Sequence, residues 1–267
     1  MKETTVKEKT LREKIKNHEK TIGMHVYLND VTSARIAGLA GYDFVWIDLE
    51  HSNLSLELLP GHIIALQAGG TAVIVRVPQD DLTYTKKVVE MGVDGIIFPQ
   101  VKSAGQANAL IASTLYPPYG NRGYGPLNAT GYGFYDVKEY IKNAPEHFCR
   151  FIQIEHVDAV SNLDEIMKNE YIDGYIFGPN DLSGSINQLG QVFSEDTTAL
   201  IKKAVAKLKA AGKYIGLSTG DISDKTLQHW HDMGVDMLSA GADYSFIRRL
   251  ALQNRINMER IHKFSAE

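Results

Sequence analysis

The stretch MGVDGIIFPQV, residues 91–101, contains a glycine that can end a helix and an aspartate that opens a short apolar strand. Its first half recurs with variations as AGYDFVWI (40–47), YIDGYIF (171–177) and MGVDMLSA (233–240). In each copy a small residue or a turn precedes the aspartate, and the residues after it are mostly apolar. The recurrence predicts that the chain repeats a helix–turn–strand unit.

Eight apolar runs of strand length occur along the chain, separated by amphipathic segments of helical period. Such alternation indicates a parallel sheet covered by helices, and eight units close into a barrel. We therefore predict one (β/α)8 TIM barrel domain over residues 1–267, with an N-terminal helix at roughly residues 6–19. The runs are IGMHVYL (22–28), DFVWIDL (43–49), TAVIVRV (71–77), DGIIFPQV (94–101), RFIQIE (150–155), DGYIFGP (173–179), YIGLST (214–219) and DMLSAGA (236–242).

Helices are predicted at TYTKKVVEMG (83–92), VDAVSNLDEIMKN (157–169) and TTALIKKAVAKLKAAG (197–212). The connection from residue 116 to residue 149 exceeds an ordinary loop, and because long connections are usually functional, we expect it over the catalytic mouth. The chain has neither a GxGxxG motif after its first strand nor a P-loop, which disfavours a dinucleotide-binding fold.

Composition and charge limit the kinds of molecule that the protein is expected to bind. The formal net charge is -4 and lysines and arginines are scattered, so the basic stripe of a nucleic-acid-binding protein is missing. The N-terminal segment has no apolar signal region, and no run approaches the roughly 18 apolar residues of a membrane span. The single cysteine, Cys149, allows neither an internal disulfide nor a multi-cysteine metal site. We expect a soluble, cytoplasmic protein that acts on small molecules, without nucleic-acid or membrane partners.

Two carboxylates are expected at the active end of the barrel, where the strands have their carboxyl ends. Glu155 ends the fifth strand and Asp181 follows the sixth. Two carboxylates from adjacent strands form a hard oxygen site suited to Mg²⁺ or Mn²⁺. Each has an ordinary explanation as well: a rim salt bridge for Glu155 and a helix N-cap for Asp181 or Asn180. His156 is not expected to be a ligand, because alternation along the strand turns it from the side of Glu155.

Three further polar residues belong to this end of the barrel. Gln153 shares a face with Glu155 and could orient the water of a bound ion or the substrate; alternatively, it is an amide side chain of the core with its hydrogen bonds satisfied. Arg76 lies in an apolar strand, where a guanidinium needs an anion, either a neighbouring carboxylate or a substrate oxygen. The backbone amides of Asn180 and Asp181 open a helix after strand six and could receive a substrate carboxylate.

The second strand ends in DLEH, which contains Asp48, Glu50 and His51. His51 is the histidine in this group that can act as a general base, and Asp48 could hold its imidazole in one tautomer. The spacing is weak support by itself, because a lone histidine is usually structural. The histidines of HWH, His229 and His231, fall on a predicted outer helix and receive no role.

In combination these segments resemble the HpcH/HpaI aldolase family, which comprises class II, metal-dependent aldolases of the 4-hydroxy-2-oxo-heptane-1,7-dioate aldolase type. The resemblance runs from about residue 20 to about residue 250. It rests on FVWIDLEH (44–51), VIVRVP (73–78), MGVDGIIFPQV (91–101), YPPYGNRGYG (116–125), IQIEHVDAVSNLDEI (152–166) and IDGYIFGPNDLSGSI (172–186).

The resemblance implies a carbon–carbon lyase that cleaves or forms 4-hydroxy-2-oxo acids, giving pyruvate or another 2-oxo acid and an aldehyde through a metal-stabilised enolate. Glu155 and Asp181 match the metal carboxylates of the family, and His51 with Asp48 matches its catalytic dyad. Arg76 matches the arginine that contacts the 2-oxo acid. The implied cofactor is a divalent ion, either Mg²⁺, Mn²⁺ or Co²⁺.

The resemblance also implies a homo-oligomer, a hexamer arranged as a trimer of dimers, with the last helix often packed on a neighbour. In some relatives an acidic residue of the helix after strand three helps the reaction across an interface, and Glu90 occupies that place here. Gln153 matches a glutamine that supports the metal carboxylates. Arg122 and Tyr124 are candidates for the aldehyde pocket, although Arg122 could equally be a solvated loop charge.

Other functions remain open from the sequence. A Schiff-base aldolase would need a lysine inside a late strand, and the nearest, Lys213, lies at the entry end of strand seven. A CoA-ester lyase of the citrate or malyl-CoA lyase type shares the fold and the two carboxylates, although DLEH and YPPYGNRG favour the aldolase. A non-catalytic metabolite-binding barrel is the remaining alternative.

Overall fold

The computed structural model describes residues 9–263 as a closed barrel of eight parallel strands. The strands are β1 (Thr21–Val26), β2 (Phe44–Asp48), β3 (Ala72–Arg76), β4 (Gly95–Phe98), β5 (Cys149–Ile154), β6 (Gly174–Phe177), β7 (Ile215–Thr219) and β8 (Met237–Ala242). The helices are α1 (Leu11–Lys16), α2 (Val31–Leu39), α3 (Leu59–Gln67), α4 (Leu82–Val89), α5 (Ala104–Ala112), α6 (Val137–Lys142), α7 (Val157–Ser161), α8 (Leu163–Ile166), α9 (Pro179–Gly184), α10 (Glu195–Ala210), α11 (Asp224–Met233) and α12 (Asp243–Met258).

Alternation along the strands divides the buried residues into two cores. In β2, Phe44 and Trp46 pack inside the barrel, whereas Val45 and Ile47 pack between the barrel and its helices. Parallel strands buried on both faces have this near-continuous apolar sequence. The same alternation turns a polar residue near the end of a strand into the barrel interior.

The predicted (β/α)8 barrel is confirmed, and all eight strands lie within the predicted runs or one residue from them. Two helix predictions were wrong in extent. The N-terminal helix is shorter than residues 6–19: it begins after Thr10, whose side chain forms a capping box with Glu13, and it ends at Lys16. Residues 6–8 lie outside the described residues. The segment 157–169 forms two helices, separated at Asn162.

The long connection after α5 lies at the end of the barrel opposite to the predicted one. Asn128 donates to the backbone oxygen of Met91, just before β4, and the guanidinium of Arg150 near the start of β5 donates to the carbonyls of Ala144 and Pro145. A segment that leads from a helix into a strand must return to the amino end of that strand. The expectation that it covers the catalytic mouth was therefore wrong.

None of the helices formed by residues 9–263 is both long and apolar enough to cross a membrane.

A close backbone contact between the segments of α2 and α3 gives a test of the packing. A Cβ added to Gly69 would lie 2.6 Å from the carbonyl carbon and oxygen of Gly38, neither of which can move independently. Gly69→Ala is expected to lower the free energy of unfolding by about 1–3 kcal/mol in urea unfolding. Gly105→Ala is the matched control, because nothing lies within 4 Å of that position in α5. Equal stability of the two variants would contradict the contact.

Candidate active site

A cavity of about 260 Å³ opens at the carboxyl ends of the strands. Its walls are formed by the ends of β1, β3, β5, β7 and β8 and by residues that follow β1, β2 and β5 to β8. Six of the seven predicted site residues line it: His51, Arg76, Gln153, Glu155, Asn180 and Asp181. The seventh, Asp48, is buried behind Arg76.

Arg76 and Asp48 form a buried, two-pronged ion pair. Nε of Arg76 donates to Oδ1 of Asp48 at 2.9 Å, and Nη2 donates to Oδ2 at 2.5 Å. Burial alone would raise the pKa of Asp48, but the hydrogen bonds and charge of Arg76 outweigh it and lower that pKa. Asp48 is therefore a permanent carboxylate that holds the guanidinium in one orientation.

The remaining guanidinium nitrogen of Arg76, Nη1, has two partners beside the cavity. Nη1 lies 3.0 Å from Oε2 of Glu50 and donates to Oε1 of Gln153 at 3.3 Å. The guanidinium also lies over the ring of Trp46, 5.4 Å from its centroid. Arg76 thus has neighbouring carboxylates as partners, which was one of its two predicted roles, and it also borders the cavity.

Glu155 is buried, and each of its carboxylate oxygens accepts a hydrogen bond. The amide of Gln100 donates to Oε1 at 2.6 Å, and Nε2 of Gln153 donates to Oε2 at 3.0 Å. Burial raises the pKa of Glu155 to about 7, and the nearby charge of Asp181 acts in the same direction. Gln153 therefore links Arg76 to Glu155, as expected from their shared face of the barrel.

Asp181 lies in the first turn of α9 and borders the same cavity as Glu155. The N-cap of this helix is Gly178, which makes no side-chain hydrogen bond, so the alternative of an N-cap role for Asp181 or Asn180 was wrong. Both side chains are exposed and border the cavity. A Cβ at Gly178 would lie 2.6 Å from Oε2 of Glu155, so only glycine lets the helix begin this close to the carboxylate.

His51 is placed differently from the expectation. Its imidazole is exposed at the rim, and Nε2 lies 3.7 Å from Oε2 of Glu50. Asp48 is occupied by Arg76 and by the amide of Glu50, so among the described residues Glu50 is the ion-pair partner of His51. Burial raises the pKa of Glu50, and the charges of Asp48 and Asp181 add to this effect.

The structure brings two residues of β1 and its loop into the site that sequence reasoning missed. His25 borders the cavity from inside IGMHVYL, and Tyr27 follows it with its hydroxyl beside Asp48. Burial, aided by Asp48, raises the pKa of Tyr27. A polar residue near the end of an otherwise apolar strand was the available signal, the same one that identified Arg76.

Other candidates lie away from the cavity. His156 caps α7 by accepting a hydrogen bond from the amide of Asp158, so its exclusion as a ligand agrees with the geometry. Arg122 is buried and donates to Glu90 at 2.7 Å, at the C-terminal end of α4 and hence at the amino end of the barrel. Arg122 is therefore not a solvated loop charge, and it does not border the cavity of its own chain, so its place in an aldehyde pocket stays a prediction. Tyr124 is exposed in the same connection.

The charges of the site fit a cation. Among residues 9–263 there is no cluster of three or more histidine, cysteine, aspartate or glutamate ligands. The mouth nevertheless gathers four carboxylates, Asp48, Glu50, Glu155 and Asp181, around the single guanidinium of Arg76. Hard oxygen ligands that leave room for water and substrate oxygens suit Mg²⁺ and Mn²⁺. Glu155 and Asp181 can supply two of them.

Comparison with known proteins gives a consistent result. Residues 21–248 match a family model described as HpcH/HpaI aldolase/citrate lyase. A hydroxypyruvate/pyruvate aldolase of Pseudomonas aeruginosa is 30% identical over 238 residues, covering 89% of this chain and 88% of the relative. The crystal structure of an HpcH/HpaI aldolase from Desulfitobacterium hafniense superimposes with a TM-score of 0.87 at 24% identity, covering 94% and 96% of the two chains. CitE of Mycobacterium tuberculosis, solved with magnesium and acetate, has a TM-score of 0.58 at 14% identity, covering 88% of each chain.

The raised pKa of Glu155 predicts an unusual dependence of stability on pH. A glutamate of the unfolded chain loses its proton near pH 4.3, whereas folded Glu155 keeps it up to about pH 7. Between these values the folded protein binds the extra proton, so the free energy of unfolding falls as the pH rises. In metal-free protein, Glu155→Gln should gain up to about 3 kcal/mol relative to the wild type between about pH 4.5 and pH 8.

Urea unfolding of the wild type and of Glu155→Gln, each at about pH 4.5 and about pH 8, measures this gain. A difference between them that does not change with pH would show that the folded pKa of Glu155 is ordinary.

Proposed function

Because the chain belongs to the HpcH/HpaI aldolase/citrate lyase family, we propose that its cavity binds a divalent metal ion and a 2-oxo acid. The protein is a carbon–carbon lyase, an aldolase of class II. Its proposed reaction cleaves 4-hydroxy-2-oxo acids to pyruvate, or a related 2-oxo acid, and an aldehyde, or runs in reverse. The observation that carries the proposal is the buried carboxylate of Glu155, linked through Gln153 to Arg76 and facing Asp181.

Glu155 and Asp181 would hold the ion, which is Mg²⁺, Mn²⁺ or Co²⁺. When bound, such an ion supplies positive charge against the substrate oxygens and so favours loss of a proton from the neighbouring carbon. A cation here also removes the like-charge repulsion that contributes to the raised pKa of Glu155. Gln153 keeps the Glu155 carboxylate in place from the side.

Arg76, which borders the cavity, would bind an oxygen of the 2-oxo acid. Asp48 prevents the guanidinium from turning, so the donor is already oriented when negative charge develops on the substrate. Asn180 and Asp181 border the same cavity, and their amides would receive the substrate carboxylate.

His51 would move the proton. Its imidazole stands at the open rim beside Glu50, which can accept a hydrogen bond from one ring nitrogen and leave the other for the substrate. Catalysis by such a group contributes about 10²–10⁴-fold. Asp48 then acts through Arg76, and Glu50 takes the place next to His51 that the sequence suggested for Asp48.

The similarities favour an aldolase over a CoA-ester lyase. Superposition on the Desulfitobacterium aldolase is closer than on CitE, with TM-scores of 0.87 and 0.58. Release of acetyl-CoA from malyl-CoA or citramalyl-CoA would reverse this preference. A non-catalytic barrel has no use for a buried Arg76 and Glu155, and metal-dependent exchange of the methyl protons of pyruvate would exclude it.

We also propose that the protein is a cytoplasmic homo-oligomer, a hexamer arranged as a trimer of dimers. The exposed apolar side chains of α12 support an intersubunit contact, since such a surface is unusual on a monomer. Light scattering would determine the mass. The residues concerned are Ile247, Leu250, Leu252, Ile256 and Met258.

Replacement of the proposed base gives the first test of the mechanism. His51→Ala is expected to lower kcat for retro-aldol cleavage by about 10²–10⁴-fold, because proton transfer loses its general base. His231→Ala is the control, since that histidine is exposed on α11 outside the barrel and should retain full activity. Full activity of His51→Ala would assign proton transfer to another group.

Metal affinity tests the ligands separately. Glu155→Gln and Asp181→Asn are each expected to weaken Mn²⁺ binding by at least about tenfold in calorimetry, because each removes an anionic oxygen ligand. Asp158→Asn, which changes an exposed carboxylate three residues after Glu155, should bind Mn²⁺ as the wild type does. Unchanged affinity in both ligand variants would place the ion elsewhere.

A further inference from the structure

The wall of the cavity formed by β7, β8 and β1 carries a polar cluster that the mechanism leaves unused. His25 is buried, and its Nδ1 lies 2.7 Å from the carbonyl oxygen of Gly241. Its Nε2 lies 3.0 Å from Oγ of Ser218 and 3.2 Å from Oγ of Ser239. An imidazole and two hydroxyls thus meet inside the barrel mouth.

The surroundings determine the tautomer of His25. A carbonyl oxygen can only accept, so Nδ1 must carry the proton that it donates to Gly241. Burial lowers the pKa of His25 to about 4, so the ring is neutral at physiological pH. Nε2 therefore offers a single lone pair as an acceptor.

Two hydroxyls compete for that lone pair. Ser239 is buried and does not border the cavity. Its hydroxyl therefore donates its proton to Nε2 of His25. Ser218 is partly exposed and borders the cavity next to His25. If Ser239 donates to Nε2, the hydroxyl of Ser218 has a proton to donate into the cavity and lone pairs with which to accept.

The position of the cluster indicates which half of the substrate lies next to it. The barrel order places β7, β8 and β1 together, whereas Glu155 and Asp181 follow β5 and β6. A 2-oxo acid held by Glu155, Asp181 and Arg76 leaves the β7–β8–β1 wall to the aldehyde. This step rests on the proposed function, because that function positions the 2-oxo acid.

We propose that Ser218, whose proton stays free because His25 accepts from Ser239, binds a hydroxyl group on the aldehyde, so that the enzyme selects hydroxyaldehydes over their deoxy analogues. A group that both donates and accepts matches an alcohol. An aldehyde with a carboxylate tail fits this wall poorly, since His25 is uncharged and the carboxylate of Asp243 lies nearby, bound to the amides of Tyr27 and Leu28.

The test compares two aldehydes that differ by one hydroxyl. Addition of pyruvate to glycolaldehyde and to acetaldehyde gives a ratio of kcat/KM values, expected to be at least about tenfold in favour of glycolaldehyde. Ser218→Ala should lower this ratio about tenfold. His25→Asn, which keeps a donor toward Gly241 but removes Nε2, should lower it too, because Ser239 loses its acceptor and then competes for its cross-strand partner Ser218. Thr219→Val is the control, since that hydroxyl also borders the cavity but accepts from the amide of Asp221.

Exchange of the methyl protons of pyruvate, measured on the same proteins, separates this inference from the proposed function. Normal exchange with a lowered ratio in Ser218→Ala supports hydroxyl binding. Normal exchange with an unchanged ratio, or a wild-type enzyme that does not distinguish the two aldehydes, overturns it while the aldolase assignment stands. Absence of exchange in the wild type with Mg²⁺ or Mn²⁺ overturns both.

Discussion

The register between β2 and β3 sets the geometry of the site. Asp48 and Arg76 are direct partners across these strands. Each lies two residues after a side chain that points into the barrel, Trp46 in β2 and Ile74 in β3. Their side chains therefore meet inside the mouth, where a guanidinium without an anion would be costly. Removing one partner of such a buried pair costs about 3–5 kcal/mol, so the pairing and the barrel stabilise each other.

This pairing has consequences for the neighbouring groups. With both carboxylate oxygens on Arg76, Asp48 cannot also hold His51, and Glu50 stands beside the imidazole instead. The same pairing leaves Nη1 of Arg76 for Gln153 and Glu50. One sheet register thus determines which acid supports the arginine and which acid lies next to the histidine.

Strand periodicity made the barrel and the inward face of each strand predictable. Alternation of two was sufficient to place Gln153 and Glu155 on one side and His156 on the other, because side-chain direction in a strand depends on position alone. The long connection was predicted at the wrong end of the barrel because the prediction relied on its length and ignored its position in the chain. A segment between a helix and the next strand belongs to the amino end of the barrel.

The sequence could not predict which charged residues pair with one another, for a different reason. Arg76 lies within reach of Asp48, Glu50 and a substrate, and only the rotamers decide among them. Arg122 illustrates the same limit, because its partner Glu90 comes from a helix 32 residues earlier. His25 was overlooked because its role depends on Ser218 and Ser239, which arrive from strands more than 190 residues away.

The two walls of the mouth differ in the way they satisfy buried polar groups. On the β2–β3–β5–β6 side, carboxylates outnumber cations, and burial raises the pKa of Glu155 and of Glu50. On the β7–β8–β1 side, neutral donors and acceptors satisfy one another, and burial lowers the pKa of His25. The excess of carboxylates on the first side favours binding of a cation. On the second side the carboxylate of Asp243 is already bound to the amides of Tyr27 and Leu28, so what that side offers a ligand is a hydroxyl. The proposed orientation of the substrate, with its anionic head toward the first side and a hydroxylated tail toward the second, follows from this difference.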